Sequence, residues 1–289
     1  MEKDLIDSLL LKKKRLSKGQ KALLAYLKEN YDKAAFMTAA RLGTTVGVSE
    51  STVVRFATDM GYDGYPELKK ALQTAVRRKL TSVQRIEASK ELWSDDEDIF
   101  KYVINADSDR IRRLSADFNS ESFGRAVDLI CSAHRIYISG MRTSSALSSY
   151  LGSYLNLLRP DVTVIRSSAN GEIYEQMLHL SNEDLLIDIS FPRYSNDAIK
   201  VINYAKQLGA AAIAITDGES SPLAAKADVS LFAKSDMVSF VDSLVAPMCL
   251  INAIVLAVAS RYNDASLDTA FENLEQIWNK YSAYDTTID

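Results

Sequence analysis

Residues 38–56, which read TAARLGTTVGVSESTVVRF, decide the fold of the first part of the chain. Gly47 separates two short helical patterns, and glycine readily takes the left-handed conformation that ends a helix in a sharp turn. Ser49 then fits the N-cap of a second helix, since its hydroxyl can accept a hydrogen bond from a free backbone N–H. That second helix carries an apolar stripe at helical spacing, formed by Val53, Phe56, Ala57 and Met60. The pattern predicts a helix-turn-helix.

The other face of this second helix is polar near its N-terminus. A helix lying in the major groove presents such side chains to base edges and phosphates. The predicted DNA contacts are the cap residue, Ser49, and four residues of the helix: Glu50, Ser51, Thr52 and Arg55. Upstream, Ser17 and Gln20 have the spacing of a capping box, which predicts a helix start near Lys18. An ordinary helical hairpin is the alternative interpretation.

Charge is divided unevenly along the 289 residues. The whole chain has a formal net charge of −4, with 34 Lys+Arg and 38 Asp+Glu. Residues 1–79 contain 16 Lys+Arg and 9 Asp+Glu, a net charge of +7, whereas residues 80–289 have a net charge of −11. Such asymmetry indicates a basic nucleic-acid or membrane module joined to an acidic body. The two cysteines, Cys131 and Cys249, exclude a disulfide-stapled scaffold and suit two buried free thiols in a reducing cytoplasm.

The basic part resembles a known family. Its residues 47–49 (GVS), 52–56 (TVVRF) and 61–68 (GYDGYPEL) are similar to the DNA-binding domain of the RpiR/MurR family of bacterial transcription regulators. Pro66 suits the first turn of a further helix over residues 67–79. On that helix, Lys69 and Lys70 are the predicted phosphate contacts, with Arg77 and Arg78 as further cations.

The acidic part alternates apolar strands with helical patterns. Strands are predicted at 135–140, 162–165, 184–190, 210–216 and 228–232, with a short helix at 221–227. Strands that alternate with helices form a parallel sheet covered on both faces. In such sheets ligands bind beyond the carboxyl ends of the strands.

Two strand-to-helix turns share the pattern Ser-x-x-Arg-x-Ser. Turn one is residues 139–144 (SGMRTS) and turn two is residues 190–195 (SFPRYS). Each combines hydroxyls, a guanidinium and a helix N-terminus, which together favour a phosphate or carboxylate. Serine caps beside surface arginines are the alternative interpretation.

Residues 120–260 resemble the sugar-isomerase (SIS) phosphosugar-binding domain. The family pattern Gly-x-Gly-x-Ser aligns with residues 140–144, and Ser-x-Ser-Gly-x-Thr aligns with residues 190–195. The resemblance implies phosphate binding by Ser144, Ser190 and Ser195, with Ser145 as a neighbour. Arg142 and Arg193 replace family glycines, and Pro192 replaces a family serine. Both arginines are therefore predicted effector ligands that favour a more anionic effector, such as a sugar-acid phosphate.

A rival interpretation is a sugar-phosphate isomerase on the same fold. Isomerisation requires a base that moves a proton beside a carbonyl. Glu175 and His179, spaced one turn apart after the second strand, are the candidate pair. A third interpretation is a DNA-binding regulator whose SIS domain is a scaffold without an effector. With a DNA-binding module and just two histidines in the chain, we favour a regulator over an enzyme.

The sequence thus predicts a multidomain protein. An all-α helix-turn-helix domain (residues 1–79) and a helical linker (80–119) precede an SIS-like αβα sandwich with a parallel sheet (120–289). We expect a transcription regulator of carbohydrate metabolism that binds a double-stranded operator and an anionic sugar-phosphate or sugar-acid effector. We further expect a cytoplasmic homodimer or homotetramer without catalytic residues, metal, cofactor or membrane partner.

Overall fold

The computed structural model describes residues 16–35, 37–77, 83, 85–86, 95–166, 171–236, 240–262 and 265–281. The chain divides into two compact units. The first comprises Met1–Ile99 with Met237–Val241, and the second comprises Phe100–Asp236 with Asp242–Asp289. Within the ranges just given, no helix has both the length and the apolar character needed to cross a bilayer.

The first unit is helical. Its helices are α1 (Lys18–Ala34), α2 (Ala39–Val46), α3 (Glu50–Asp59) and α4 (Gly64–Arg77). The predicted capping box is confirmed: Ser17 Oγ accepts from the N–H of Gln20 at 3.3 Å, and Gln20 Oε1 accepts from the N–H of Ser17 at 3.1 Å. The four helices enclose one apolar core, whose buried members include Leu23, Leu27, Leu42, Val53, Phe56, Met60, Leu68 and Leu72.

The second unit alternates helices and strands. In chain order its elements are α5 (Asp96–Ala116), α6 (Ser120–Ser132), β1 (Ile136–Gly140), α7 (Ser144–Leu158), β2 (Val162–Ile165), α8 (Glu172–Gln176), β3 (Leu185–Ile189), α9 (Asn196–Gln207), β4 (Ala211–Thr216), β5 (Val229–Phe232), α10 (Val245–Arg261) and α11 (Ala265–Lys280). Asp95 caps α5, since its Oδ1 accepts from the N–H of Asp98 at 2.8 Å. Asp96, Glu97 and Asp98 lie in the first turn of α5, where the helix dipole favours negative charge.

The sheet confirms the predicted fold class. Its strands in the described residues run in the order β2-β1-β3-β4-β5, and every neighbouring pair is parallel. One face packs against α7 through Leu147, Leu151 and Leu155. The opposite face packs against α9 through Ala198, Val201 and Ile202. Helices on both faces bury the apolar strands, as the near-continuous apolar runs of β3 and β4 require.

The predicted helix at 221–227 is wrong. Residues 219–226 form hydrogen-bonded turns instead. Ser221 Oγ accepts from Thr216 Oγ1 at 2.8 Å and from the N–H of Leu223 at 3.2 Å. These side-chain bonds compete with helical ones and tie the segment to the end of β4.

Candidate DNA-binding and effector-binding sites

The turn between α2 and α3 has the geometry that the sequence predicts. Gly47 caps α2 in the left-handed conformation with φ of 78°. Its N–H donates to the carbonyl of Thr44 at 3.3 Å. Ser49 caps α3, because its Oγ accepts from the N–H of Thr52 at 3.3 Å. The helix-turn-helix is therefore confirmed in its turn and in both flanking helices.

The outward face of α3 differs from the predicted contact set. Val53, Phe56 and Ala57 are buried, so the stripe on the opposite side of the helix points away from the core. That stripe has the same spacing and consists of the exposed residues Ser51, Val54, Arg55 and Thr58. Val54 is 40% exposed. The contacts predicted from the sequence did not include Val54 and Thr58. Both lie on the side of α3 opposite the predicted apolar stripe, so that stripe was sufficient to identify them.

The predicted residues Ser49 and Thr52 have structural roles in α3. Their hydroxyl oxygens lie 2.8 Å apart, and Ser51 Oγ is 2.9 Å from Ser49 Oγ. Glu50 is exposed in the first turn of the helix. On α4, Lys69 is half-buried, while the side chain of Lys70 lies outside the described part of the chain. Arg78 and the side chain of Arg77, the further cations predicted for this helix, also lie outside it.

Turns one and two meet at the same edge of the sheet. β1 and β3 are adjacent parallel strands, with Gly140 opposite Ile189 at their carboxyl ends. From β1 the chain crosses to β2 on one side, whereas from β3 it crosses to β4 on the other. The two turns therefore flank a topological switch point, where open α/β sheets bind ligands. A Cβ on Gly140 would lie 2.5 Å from the carbonyl oxygen of Ser144, so only glycine fits this close approach.

Both predicted arginines occupy a backbone region that favours glycine. Arg142 has φ of 57° and Arg193 has φ of 65°. Both residues are exposed. The backbone thus keeps the conformation that glycine would adopt at these positions, while each turn gains a guanidinium. Each of turns one and two therefore carries an exposed cation.

The predicted serines divide into buried and capping residues. Ser144 begins α7 and Ser190 follows β3, and both are buried. Ser195 caps α9, with its Oγ accepting from the N–H of Asp197 at 3.2 Å. Ser145 is exposed and its Oγ donates to the carbonyl of Arg142 at 2.6 Å. The N–H groups of Ser144 and Ser145 donate to carbonyls of turn one at 3.1 Å, so these two N–H groups are engaged within the turn.

Residues at the ends of β4 and β5 extend this polar edge. The Tyr194 hydroxyl of turn two donates to Asp217 Oδ1. Lys234 Nζ donates to the carbonyl of Asp217 at 2.6 Å. The site residues predicted from the sequence did not include Tyr194, Asp217 and Lys234. Tyr194 lies inside turn two, and the other two residues follow the carboxyl ends of β4 and β5, so their positions indicated that they lie at this edge.

Asp188 is a buried carboxyl beneath the two turns. It lies in β3 opposite Ser139 of β1, and both are fully buried. Neither of its oxygens nor Ser139 Oγ has a hydrogen-bond partner among the described residues. Burial raises the pKa of Asp188 to about 8. The carboxyl is therefore mostly protonated at neutral pH.

Glu175 and His179 do not share a helix as the isomerase interpretation expected. Glu175 lies in α8, which ends at Gln176, and His179 lies in the turns that follow. Both side chains are exposed. In the described ranges, no three His, Cys, Asp or Glu residues are grouped so that they could hold a metal ion.

The two units match two family models. Residues 3–79 match the helix-turn-helix domain of the rpiR family, and residues 129–257 match the SIS domain. Such a chain is a DNA-binding transcription regulator in architecture. The protein belongs to the RpiR/MurR family of transcription regulators.

Relatives and solved structures agree with this family. An uncharacterized HTH-type transcriptional regulator from Caldanaerobacter subterraneus subsp. tengcongensis is 24% identical over 247 residues, which cover 83% of this chain and 85% of the relative. The sugar isomerase domain of an RpiR transcription factor from Sphaerobacter thermophilus has a TM-score of 0.57 and 26% identity, covering 61% of this chain and 97% of that one. Vibrio vulnificus NanR, complexed with ManNAc-6P, has a TM-score of 0.56 and 19% identity, covering 96% and 98%.

Proposed function

We propose that this regulator controls carbohydrate metabolism and that an anionic sugar phosphate or sugar-acid phosphate, bound between turns one and two, gates its binding to DNA. One observation carries the proposal. Two exposed arginines, Arg142 and Arg193, stand in left-handed backbone at the switch point of the sheet. They place positive charge in a part of the chain whose net charge is −11. NanR, whose fold is similar, was solved with ManNAc-6P, and this supports a phosphosugar effector for this chain.

In this proposal the arginines bind the effector's anionic groups and the serines bind its phosphate and hydroxyls. Ser144 and Ser190 line the inner side of the site, while Ser145 and Ser195 line its rim. An Arg–phosphate or Arg–carboxylate contact is charge-assisted and frequently bidentate, which makes it strong. A second acidic group on the effector would engage the second arginine. We therefore propose that sugar-acid phosphates bind more tightly than neutral-sugar phosphates.

Isothermal titration calorimetry tests the effector class. The full-length protein is titrated with glucose 6-phosphate, ManNAc-6P and 6-phosphogluconate. We expect 6-phosphogluconate to bind most tightly, and the double variant Arg142→Ala/Arg193→Ala to weaken it more than tenfold, since hydrogen bonds to charged groups contribute about 1.5–3 kcal/mol each. Arg112→Ala/Arg113→Ala, which removes the same charge from exposed positions of α5, is the control. Undiminished binding by the first double variant would overturn the proposal.

We also propose that the SIS domain senses a ligand and does not catalyse. The exposure of Glu175 and His179 supports this, because a proton-transfer base works in a site that excludes water. A coupled assay should detect no isomerisation of glucose 6-phosphate to fructose 6-phosphate. Turnover that Glu175→Ala abolishes would instead establish an enzyme.

The DNA-contacting residues and the assembly complete the proposal. A cytoplasmic homodimer or homotetramer would present paired α3 helices to a near-palindromic operator. Half-site centres should then lie about one helical turn, or a multiple of it, apart. Selection of operator sequences in vitro, followed by footprinting of the selected duplexes, measures that spacing.

A further inference from the structure

A buried arginine holds α5 within the second unit. Arg110 is 7% exposed. Its Nη1 donates to Asp107 Oδ1 at 2.7 Å, and its Nη2 donates to the backbone carbonyl of Asp236 at 2.7 Å. Its Nε is buried without a hydrogen-bond partner in the described residues. A buried charge depends strongly on each remaining partner, so small changes around Arg110 have large effects on how α5 is held.

The carboxylate that pairs with Arg110 also connects to turn one. Ser243 Oγ donates to Asp107 Oδ1 at 2.6 Å. The preceding residue, Asp242, accepts at Oδ2 from Thr143 Oγ1 at 3.2 Å. Thr143 lies in turn one between Arg142 and Ser144. Continuous contacts therefore join turn one to α5, and we call Asp107, Arg110, Asp242 and Ser243 the clasp.

Thr143 is suited to report the state of turn one. It occupies the N-cap position of α7, yet its side chain makes no capping hydrogen bond. Its hydroxyl bonds to Asp242 instead. We expect a ligand that contacts Arg142 and Ser144, on either side of Thr143, to change the position or the freedom of this hydroxyl. The next link, Asp242 to Ser243, is a single peptide bond.

We propose that the clasp transmits effector binding from turn one to α5 and so to the DNA-binding unit that precedes α5 in the chain. The inference rests on the proposed effector site. When an effector binds to turn one, the hydrogen bond from Thr143 to Asp242 changes. The hydrogen bond from Ser243 to Asp107 then changes as well. The change at the Asp107–Arg110 pair then strengthens or weakens the attachment of α5 to the second unit. The boundary between the two units lies within α5, after Ile99. The clasp residues act by positioning and touch no effector.

Hydrogen–deuterium exchange of the full-length protein without any ligand tests the connection. Thr143→Val keeps the side-chain shape and removes the hydroxyl. We expect amides of residues 103–113 in α5 to exchange at least threefold faster in this variant. Thr163→Val, on the exposed position of β2, is the matched control and should leave α5 unchanged. Asp242→Asn provides a second variant that weakens the same bond.

The order of the contacts is tested by combining substitutions. In a Ser243→Ala background the path is already broken, so Thr143→Val should add no further change in α5. Ser243→Thr keeps a hydroxyl and should restore wild-type exchange. If Thr143→Val and Asp242→Asn both leave the exchange of α5 unchanged, the clasp does not connect it to turn one.

A second readout uses 6-phosphogluconate as the probe and a duplex selected in vitro. Ser243→Ala should bind each of them within about twofold of wild type. The ratio of DNA affinities with and without 6-phosphogluconate should fall from at least fivefold to less than twofold, since a coupling of that size is typical between linked sites. Ser260→Ala, at an exposed position of α10, should keep the full ratio. A wild type that binds no 6-phosphogluconate contradicts the proposed effector, whereas the ligand-free exchange result tests the clasp by itself.

Discussion

Arg142 and Arg193 adopt the left-handed conformation, which costs an L-residue about 1–2 kcal/mol. Glycine lacks this penalty but loses more backbone entropy on folding. We therefore expect Arg142→Gly and Arg193→Gly each to raise the free energy of unfolding by about 0.5–1 kcal/mol, measured by urea denaturation. Each should also weaken binding of 6-phosphogluconate.

Asp161 offers a matched control for these substitutions. It too has a positive φ, 65°, and it precedes β2. Asp161→Gly should change stability without weakening 6-phosphogluconate binding. Arginine-to-glycine variants that bind the compound as wild type does would contradict a role for the guanidinium groups.

Asp188 makes the stability of the second unit depend on pH. Its pKa in the folded state, about 8, lies above the usual aspartate value of about 3.9. The folded state therefore keeps a proton that the unfolded state releases, and stability falls as pH rises from about 4 to about 8. Asp188→Asn removes this charge, so its free energy of unfolding at pH 8 should exceed that of wild type by on the order of 5 kcal/mol, with little difference at pH 4.

Urea unfolding at a series of pH values measures this effect. Asp117→Asn, at an exposed position after α5, is the control and should follow the wild-type curve. Equal pH dependence in wild type and Asp188→Asn would show that the buried carboxyl is not the cause.

At the scale of elements, we expect the outward stripe of α3 to determine which bases the protein reads. Val54 presents an apolar side chain there, and such side chains contact the methyl group of thymine in the major groove. In duplexes selected for binding, replacing one thymine by uracil should weaken wild-type binding about three- to fivefold, the value of one buried methyl. Val54→Ala should be insensitive to the same replacement. Fluorescence anisotropy measures both, with Val83→Ala, also exposed, as control.

Sequence reasoning succeeded where chemistry is local. Gly47 and Ser49 determine the turn and the cap of α3 through their own backbone and hydroxyl, so their roles could be predicted. The predicted helix at 221–227 failed because Ser221 bonds to Thr216, a contact between the end of a strand and the turn beyond it. The burial of Asp188 depends on the strands that flank β3. The sequence of residues 185–189, LLIDI, does not by itself show that its aspartate is buried. The outward stripe of α3, in contrast, follows from the apolar stripe that the sequence predicts, because the two lie on opposite sides of one helix.

The whole molecule separates its charges between two units. The positive net charge of residues 1–79 predicts DNA affinity that falls steeply with salt, because phosphate contacts release counterions. Lys69→Ala should weaken binding nearly uniformly across sequences and reduce the slope of log K against log[salt] by about 1. Titrations at several salt concentrations measure the slope. Lys200→Ala, on α9 of the acidic unit, should leave it unchanged.

The left-handed backbone at Arg142 and Arg193 also bears on how such regulators diverge. Glycine and arginine codons differ by a single nucleotide, and at these two positions both residues fit the same chain path. A lineage can therefore exchange one for the other in one mutational step without rebuilding the turn. In the proposed effector site, such an exchange would change the ligand preference while the backbone of the turns stays constant.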